Sequence, residues 1–141
     1  MNTGKLTALT VIAGILALGE FGSAIQIGLG GDGPDRSGWP FGAAFGVFFL
    51  IAAWLLRRGR ITGGAVFAGI LCLFEVVTYP SWYKHSALNW TYDTAFALVS
   101  LAGLIGAITV LAGRLRRRAA ALRAATPQTS DSGRSCMRGT R

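Results

Sequence analysis

The chain has 141 residues, 52% of them hydrophobic and only 14% charged, with a formal net charge of +8. Polar residues are too scarce to surface a soluble domain of this length, and the charges fall in short clusters between apolar runs long enough to span a bilayer, which takes about 20 residues of helix. That excludes an ordinary soluble globular protein, and because the arginines abut the apolar runs it argues against a nucleic-acid partner.

Span one is predicted over residues 6–28, behind Lys5. Lys5, the apolar run and "GSA" at 22–24 resemble the parts of a cleaved signal peptide. Glu20 interrupts the end of that run, and the segment has an internal copy that cannot be a signal, so the reading is a retained helix. The loop "GLGGDGPDRSGW" follows, with Pro34, Asp32 and Asp35 among glycines, a turn-forming composition. It lacks the GK[ST] ending of a phosphate-binding loop.

Span two is predicted over residues 40–56, and "RRGR" turns the chain into span three, residues 61–79. Pro80 ends or kinks span three, since it cannot donate the next helical hydrogen bond. The loop "YPSWYKHSALNWTYD" is dense in aromatics. Rings of this kind populate the membrane interface. The alternative is a lid built from Trp82, Tyr83, His85 and Trp90, in which the lone histidine shuttles protons or senses pH. Asp93 is predicted to cap span four, residues 94–113.

The rest, residues 114–141, reads as a basic cytoplasmic tail. "GRLRRRAAALRAAT" can extend the last span along the surface of anionic lipid. "PQTSDSGRSCMRGTR" has almost no apolar residues and is predicted to be disordered. The domain organisation is therefore a membrane domain, residues 1–113, and this tail.

The spans are helices and not barrel strands, because the apolar runs are continuous and do not alternate with polar residues. Lys5, Arg57, Arg58, Arg60 and the arginines after residue 113 flank one side; the outer loops hold only Arg36 and Lys84. The positive-inside rule then puts both termini in the cytoplasm, and the cell membrane is the expected location. Cys72 falls within span three and Cys136 in the reducing cytoplasmic tail, so no disulfide is expected. With no Cys/His cluster, no metal or cofactor is expected either.

"VIAGILALGEFGS" from Val11 and "VFAGILCLFEVVT" from Val66 align at a shift of 55 positions. Glu20 meets Glu75, Ser23 meets Thr78, and Lys5 meets Arg60. The reading is an all-α, integral membrane four-helix bundle made of two tandem hairpins, 5–58 and 60–113. A two-span unit re-enters in the same direction, so the repeat is parallel about the membrane normal.

Glu20 lies about 21 Å above Leu6 at 1.5 Å per residue, and Glu75 lies as far above Ile61. On a 100° wheel Leu9, Ala13, Leu16, Ala17, Ser23, Ala24 and Ile27 share the face of Glu20, and Gly64, Ala68, Leu71, Cys72, Thr78 and Tyr79 that of Glu75. An acid at that depth faces the interior or a wet cavity. Two such acids would titrate as one unit holding a shared proton. The simpler role is hydrogen-bonded glue between helices, worth about 0.6 kcal/mol each.

In its four short spans and the glutamate of the first, Glu20, the chain resembles small multidrug-resistance exporters, in which that acid is essential. It departs from them in Glu75, in its strong charge bias and in its long basic tail; those exporters rely on weak bias to insert both ways round.

Three functions remain open. The first is a ligand or proton site of Glu20, Glu75, Ser23 and Thr78 in the outer half of the bilayer, binding or moving a small amphiphilic or cationic molecule. The second is a membrane-embedded acid/base enzyme of isomerase or cyclase type; no catalytic residue can be assigned to it. The third is a non-catalytic subunit of a larger membrane complex. Membrane lipids are the expected partners, with a homo-oligomer as a further possibility.

Overall fold

The computed structural model describes residues 3–29, 39–81 and 87–125. The described residues are helical: α1 (Thr3–Gly28), α2 (Trp39–Arg57), α3 (Ile61–Thr78) and α4 (Ala87–Ala125), with a single 3₁₀ turn, Tyr79–Ser81, after α3. All four α-helices are long and apolar enough to cross a membrane. Continuous apolar sequence forms helices here because in lipid only intra-segment hydrogen bonds can satisfy every backbone group. Four such helices fit a small multi-pass membrane protein.

α3 stops at Thr78, ahead of Pro80 as expected, and the chain tightens into the 3₁₀ turn that contains the proline. The start of the last helix differs from expectation. α4 starts at Ala87, so Asp93 lies well inside the helix and does not cap it. The segment "ALNWTYD" holds no Gly or Pro to stop a helix from starting early, and α4 continues through the arginines to Ala125.

The turn between α2 and α3 follows from one glycine. Gly59 has φ +78°, a conformation that costs glycine little. It lets Gly59 N–H reach the Leu56 carbonyl at 3.2 Å and Arg60 N–H reach the Leu55 carbonyl at 3.0 Å, the paired bonds that close a helix C-terminus.

Packing is extensive between α1 and α2, α3 and α4, α2 and α3, and α1 and α4; α1 and α3 meet only sparsely. The four helices thus form a closed ring of neighbours, with α1 and α3 diagonal to one another. The interior has two apolar layers. Leu9, Leu56, Ile61, Ala65, Ala107 and Val110 fill one, beside the α2–α3 turn. Ala13, Leu16, Ala17, Phe49, Leu71 and Cys72 fill the next. Most of the faces of α1 and α3 predicted to be interior are buried, Leu9, Ala13, Leu16, Ala17 and Ala24 on α1 and Gly64, Ala68, Leu71, Cys72 and Glu75 on α3; Ser23, Ile27, Thr78 and Tyr79, toward the far end, are only half-buried, and Ile61 and Ala65 are buried without having been predicted. Large apolar side chains such as Leu18, Ile70, Val77 and Leu98 point outward and stay exposed, as lipid-facing positions do.

Arginines mark the end of the helices nearest the first layer. Arg58 stacks over Trp54 at 5.1 Å, and Arg114 donates from Nη1 to Thr62 Oγ1 at 2.9 Å, tying α4 to the first turn of α3. The glutamates lie beyond the second layer, toward the opposite end.

Candidate functional site

Glu20 sits in the fifth turn of α1 and Glu75 in the last turns of α3. Small residues precede each on the interior face, Ala13 and Ala17 on α1 and Ala68 and Cys72 on α3. Such residues let helices approach closely in lipid. The diagonal helices come close enough for the two carboxyl groups to hydrogen bond to one another. Ionised carboxylates only accept hydrogen bonds, so a bond between the two would require a proton on one partner. Glu75 is 5% exposed; Glu20 is half-buried.

α2 closes the site with a glycine. A methyl group at Gly42 would lie 3.4 Å from Glu20 Oε2 and 3.3 Å from the Glu20 carbonyl oxygen. Gly46, one turn along, packs so closely on the Phe21 ring that a methyl there would stand 3.1 Å from it. "GAAFG" at 42–46 is thus a small-xxx-small stripe on which α1 lies. The two glycines four residues apart are the signal for that stripe in the sequence.

α4 reaches the same region with an aromatic pair. Tyr92 and Phe96 stack with centroids 6.2 Å apart, and Phe96 presses against Gly19, beside Glu20. The Tyr92 hydroxyl donates to the Gly19 carbonyl oxygen at 2.9 Å.

The predicted hydroxyl partners have other attachments. Ser23 Oγ donates to the Tyr92 hydroxyl at 3.4 Å. Thr78 Oγ1 bonds back to the Phe74 carbonyl oxygen at 2.9 Å and lies 3.3 Å from that of Glu75. Of the predicted lid, Trp90 lies on α4 and is exposed; its carbonyl oxygen accepts from Thr94 Oγ1 at 2.7 Å. Trp82, Tyr83 and His85 fall outside the described residues. Among the described residues no group of His, Cys, Asp and Glu is arranged to hold a metal ion.

One polar side chain near the site went unremarked in the sequence. Ser100 on α4 is fully buried, and its Oγ is the one buried side-chain polar atom without a hydrogen-bond partner among the described residues. A hydroxyl in the run "AFALVSLAGLIGA" was visible, but which way it faced was not.

Set against models of known families, curated proteins and solved structures, the chain finds no match.

Proposed function

We propose that this is a small polytopic membrane protein whose paired glutamates form a proton-exchanging site for a small amphiphilic or cationic molecule. The observation that carries this reading is the approach of the Glu20 and Glu75 carboxyl groups to one another inside a helix interior whose other buried side chains, Ser100 apart, are apolar. Ionisable groups at membrane depth are costly, and they mark substrate, ion or proton paths. A carboxyl pair sharing a proton can exchange that proton for a cation with no other charge rearrangement nearby. α2 brings only small and apolar residues to the layer, and on α3 the neighbouring titratable group is the Cys72 thiol, within electrostatic reach of Glu75.

The remaining features agree with a site open to the outer side. The basic residues gather at the far end of the helices, which the positive-inside rule assigns to the cytoplasm. The 55-residue correspondence supports a duplicated hairpin, with Glu20 and Glu75 as equivalent positions of a parallel four-helix repeat.

Replacing either acid by glutamine tests the reading, since glutamine keeps size and hydrogen bonding but cannot ionise. The measurement is infrared titration of the carboxyl groups in lipid, for wild type, Glu20→Gln and Glu75→Gln. The site predicts that each carboxyl titrates differently once the other is gone, and that either change abolishes cation-induced proton release. Identical titration of Glu75 with and without the Glu20 carboxyl would replace the shared site by simple glue.

A further inference from the structure

We propose that Ser100 is the third polar group of the glutamate site, and that the head group the site accepts is a primary ammonium rather than a quaternary one. The inference rests on the cation-site reading above and names the chemistry of its ligand.

The register of α3 against α4 places Ser100. The helices run antiparallel: Thr62 meets Arg114, a methyl at Gly69 would meet Ala107, and a methyl at Gly103 would meet Cys72 Sγ. Each turn gained along α3 is matched by a turn lost along α4. One turn beyond Cys72 is Glu75, and one turn before Gly103 is Ser100. At Gly103, α4 also faces Ile12 and Leu16 of α1, so this stripe looks between the two glutamate-bearing helices. Ser100 therefore lies on the inward stripe of α4, at the level of Glu75.

Its hydroxyl is unusual among those described on these helices. Thr7, Thr10, Thr78, Thr94 and Thr109 each bond back to a carbonyl of their own helix, the common outcome for a hydroxyl within a helix. Ser100 does not, and is without a partner although fully buried. A buried hydroxyl left unpaired is unfavourable, and an occupant between it and the carboxyl groups would satisfy it.

The three groups specify that occupant. Glu20 from α1, Glu75 from α3 and Ser100 from α4 present acceptor oxygens from three directions, and a primary ammonium carries three N–H donors. A quaternary ammonium has no N–H group and would leave Ser100 as it is. A methyl at Gly42 would already stand 3.4 Å from both Glu20 Oε2 and Ala24 Cβ, so the Glu20 side favours a compact head group. Binding exchanges the shared proton, released to water, for one ammonium of the same charge.

The test uses the full chain in lipid nanodiscs, with empty nanodiscs subtracted, and reads the carboxyl stretch by infrared difference spectroscopy. The probes are hexylammonium and hexyltrimethylammonium. The wild type should respond at lower concentration to the primary amine. Ser100→Ala should weaken that response by about tenfold, the worth of one hydrogen bond to a charged group. The quaternary response should stay unchanged, which also shows that the variant is folded. Ser100→Cys, close in size but a weak acceptor, should fall between. An unchanged preference for the primary amine in Ser100→Ala would overturn the role of Ser100 alone. Silence of the wild-type carboxyl groups toward both amines would overturn the cation reading, and this proposal with it.

Discussion

Gly103 sets the spacing on which the α3–α4 register depends, and replacing it by alanine gives a sharp test. A methyl there would stand 2.8 Å from Cys72 Sγ and 3.1 Å from Ile12 Cγ2, whereas unstrained heavy-atom contacts lie at roughly 3.5–4.0 Å. Neither neighbour has room to withdraw, because Cys72 is fully buried within the second apolar layer and Ile12 packs against that layer. The helices must separate by a few tenths of an ångström or more, and overpacking of this kind costs about 1–3 kcal/mol. The sulfur is the nearer obstacle, so Cys72→Ala should relieve most of the strain while alone costing about 1 kcal/mol for the space it vacates. Reversible unfolding in mixed micelles, run as a double-mutant cycle, should give a favourable coupling of at least about 0.5 kcal/mol between the two changes. Additive effects, or a Gly103→Ala protein as stable as wild type, would refute the close α3–α4 approach and the placement of Ser100 derived from it.

Other outcomes follow from the same geometry. Gly42→Ala should be mildly destabilising, because its methyl would stand 3.3 Å from the Glu20 carbonyl oxygen and α1 must give by a few tenths of an ångström; Gly42→Leu should crowd the Glu20 carboxyl, shifting its infrared band and blocking amine binding. Tyr92→Phe removes the bond from α4 to the Gly19 carbonyl oxygen and should cost about 0.6 kcal/mol in the same micelle assay, the average for a hydrogen bond between membrane helices. In intact cells Cys136 should resist an impermeant thiol reagent while a cysteine replacing Ser37 reacts; the opposite labelling would reverse the orientation drawn from the arginines.

What the sequence reveals about this chain divides along a physical line. Apolar run length decides the four helices, since a helix must satisfy its backbone within itself in lipid. The interior faces of α1 and α3 follow from the small residues around each acid, and Ala13, Ala17, Ala68 and Cys72 are indeed buried. The start of α4 was misplaced because interfacial residues such as Trp90 and Tyr92 look like loop when hydropathy alone is read, although nothing in them breaks a helix. The inward faces of α2 and α4 were less legible. Their surfaces are apolar all round, so periodicity gives no direction, and only contact with α1 shows that Gly42 rather than Ala44 meets Glu20. Ser100 is the same problem: one hydroxyl in an apolar run has no face until a neighbouring helix supplies one.

The pairing of the acids across the diagonal gives the arrangement its interest. Had Glu20 and Glu75 stood on adjacent helices, each could have bonded to a backbone group or hydroxyl along a shared seam, which is what glue requires. Here α1 and α3 barely touch, so two carboxyl groups that approach across the diagonal stand at the centre rather than along a seam. Each seam has its own fastening: Gly42 and Gly46 under α1, Phe45 stacked on Phe74 between α2 and α3, Arg114 on Thr62, Tyr92 on the Gly19 carbonyl oxygen. Packing through those contacts does not require an acid at either position. Glu20→Gln and Glu75→Gln should therefore leave stability within about 1 kcal/mol of wild type, the scale of one membrane hydrogen bond, while removing the carboxyl response to amines. A glutamine variant that unfolds, or one that retains that response, would show that the acids hold the helices together instead of serving a ligand.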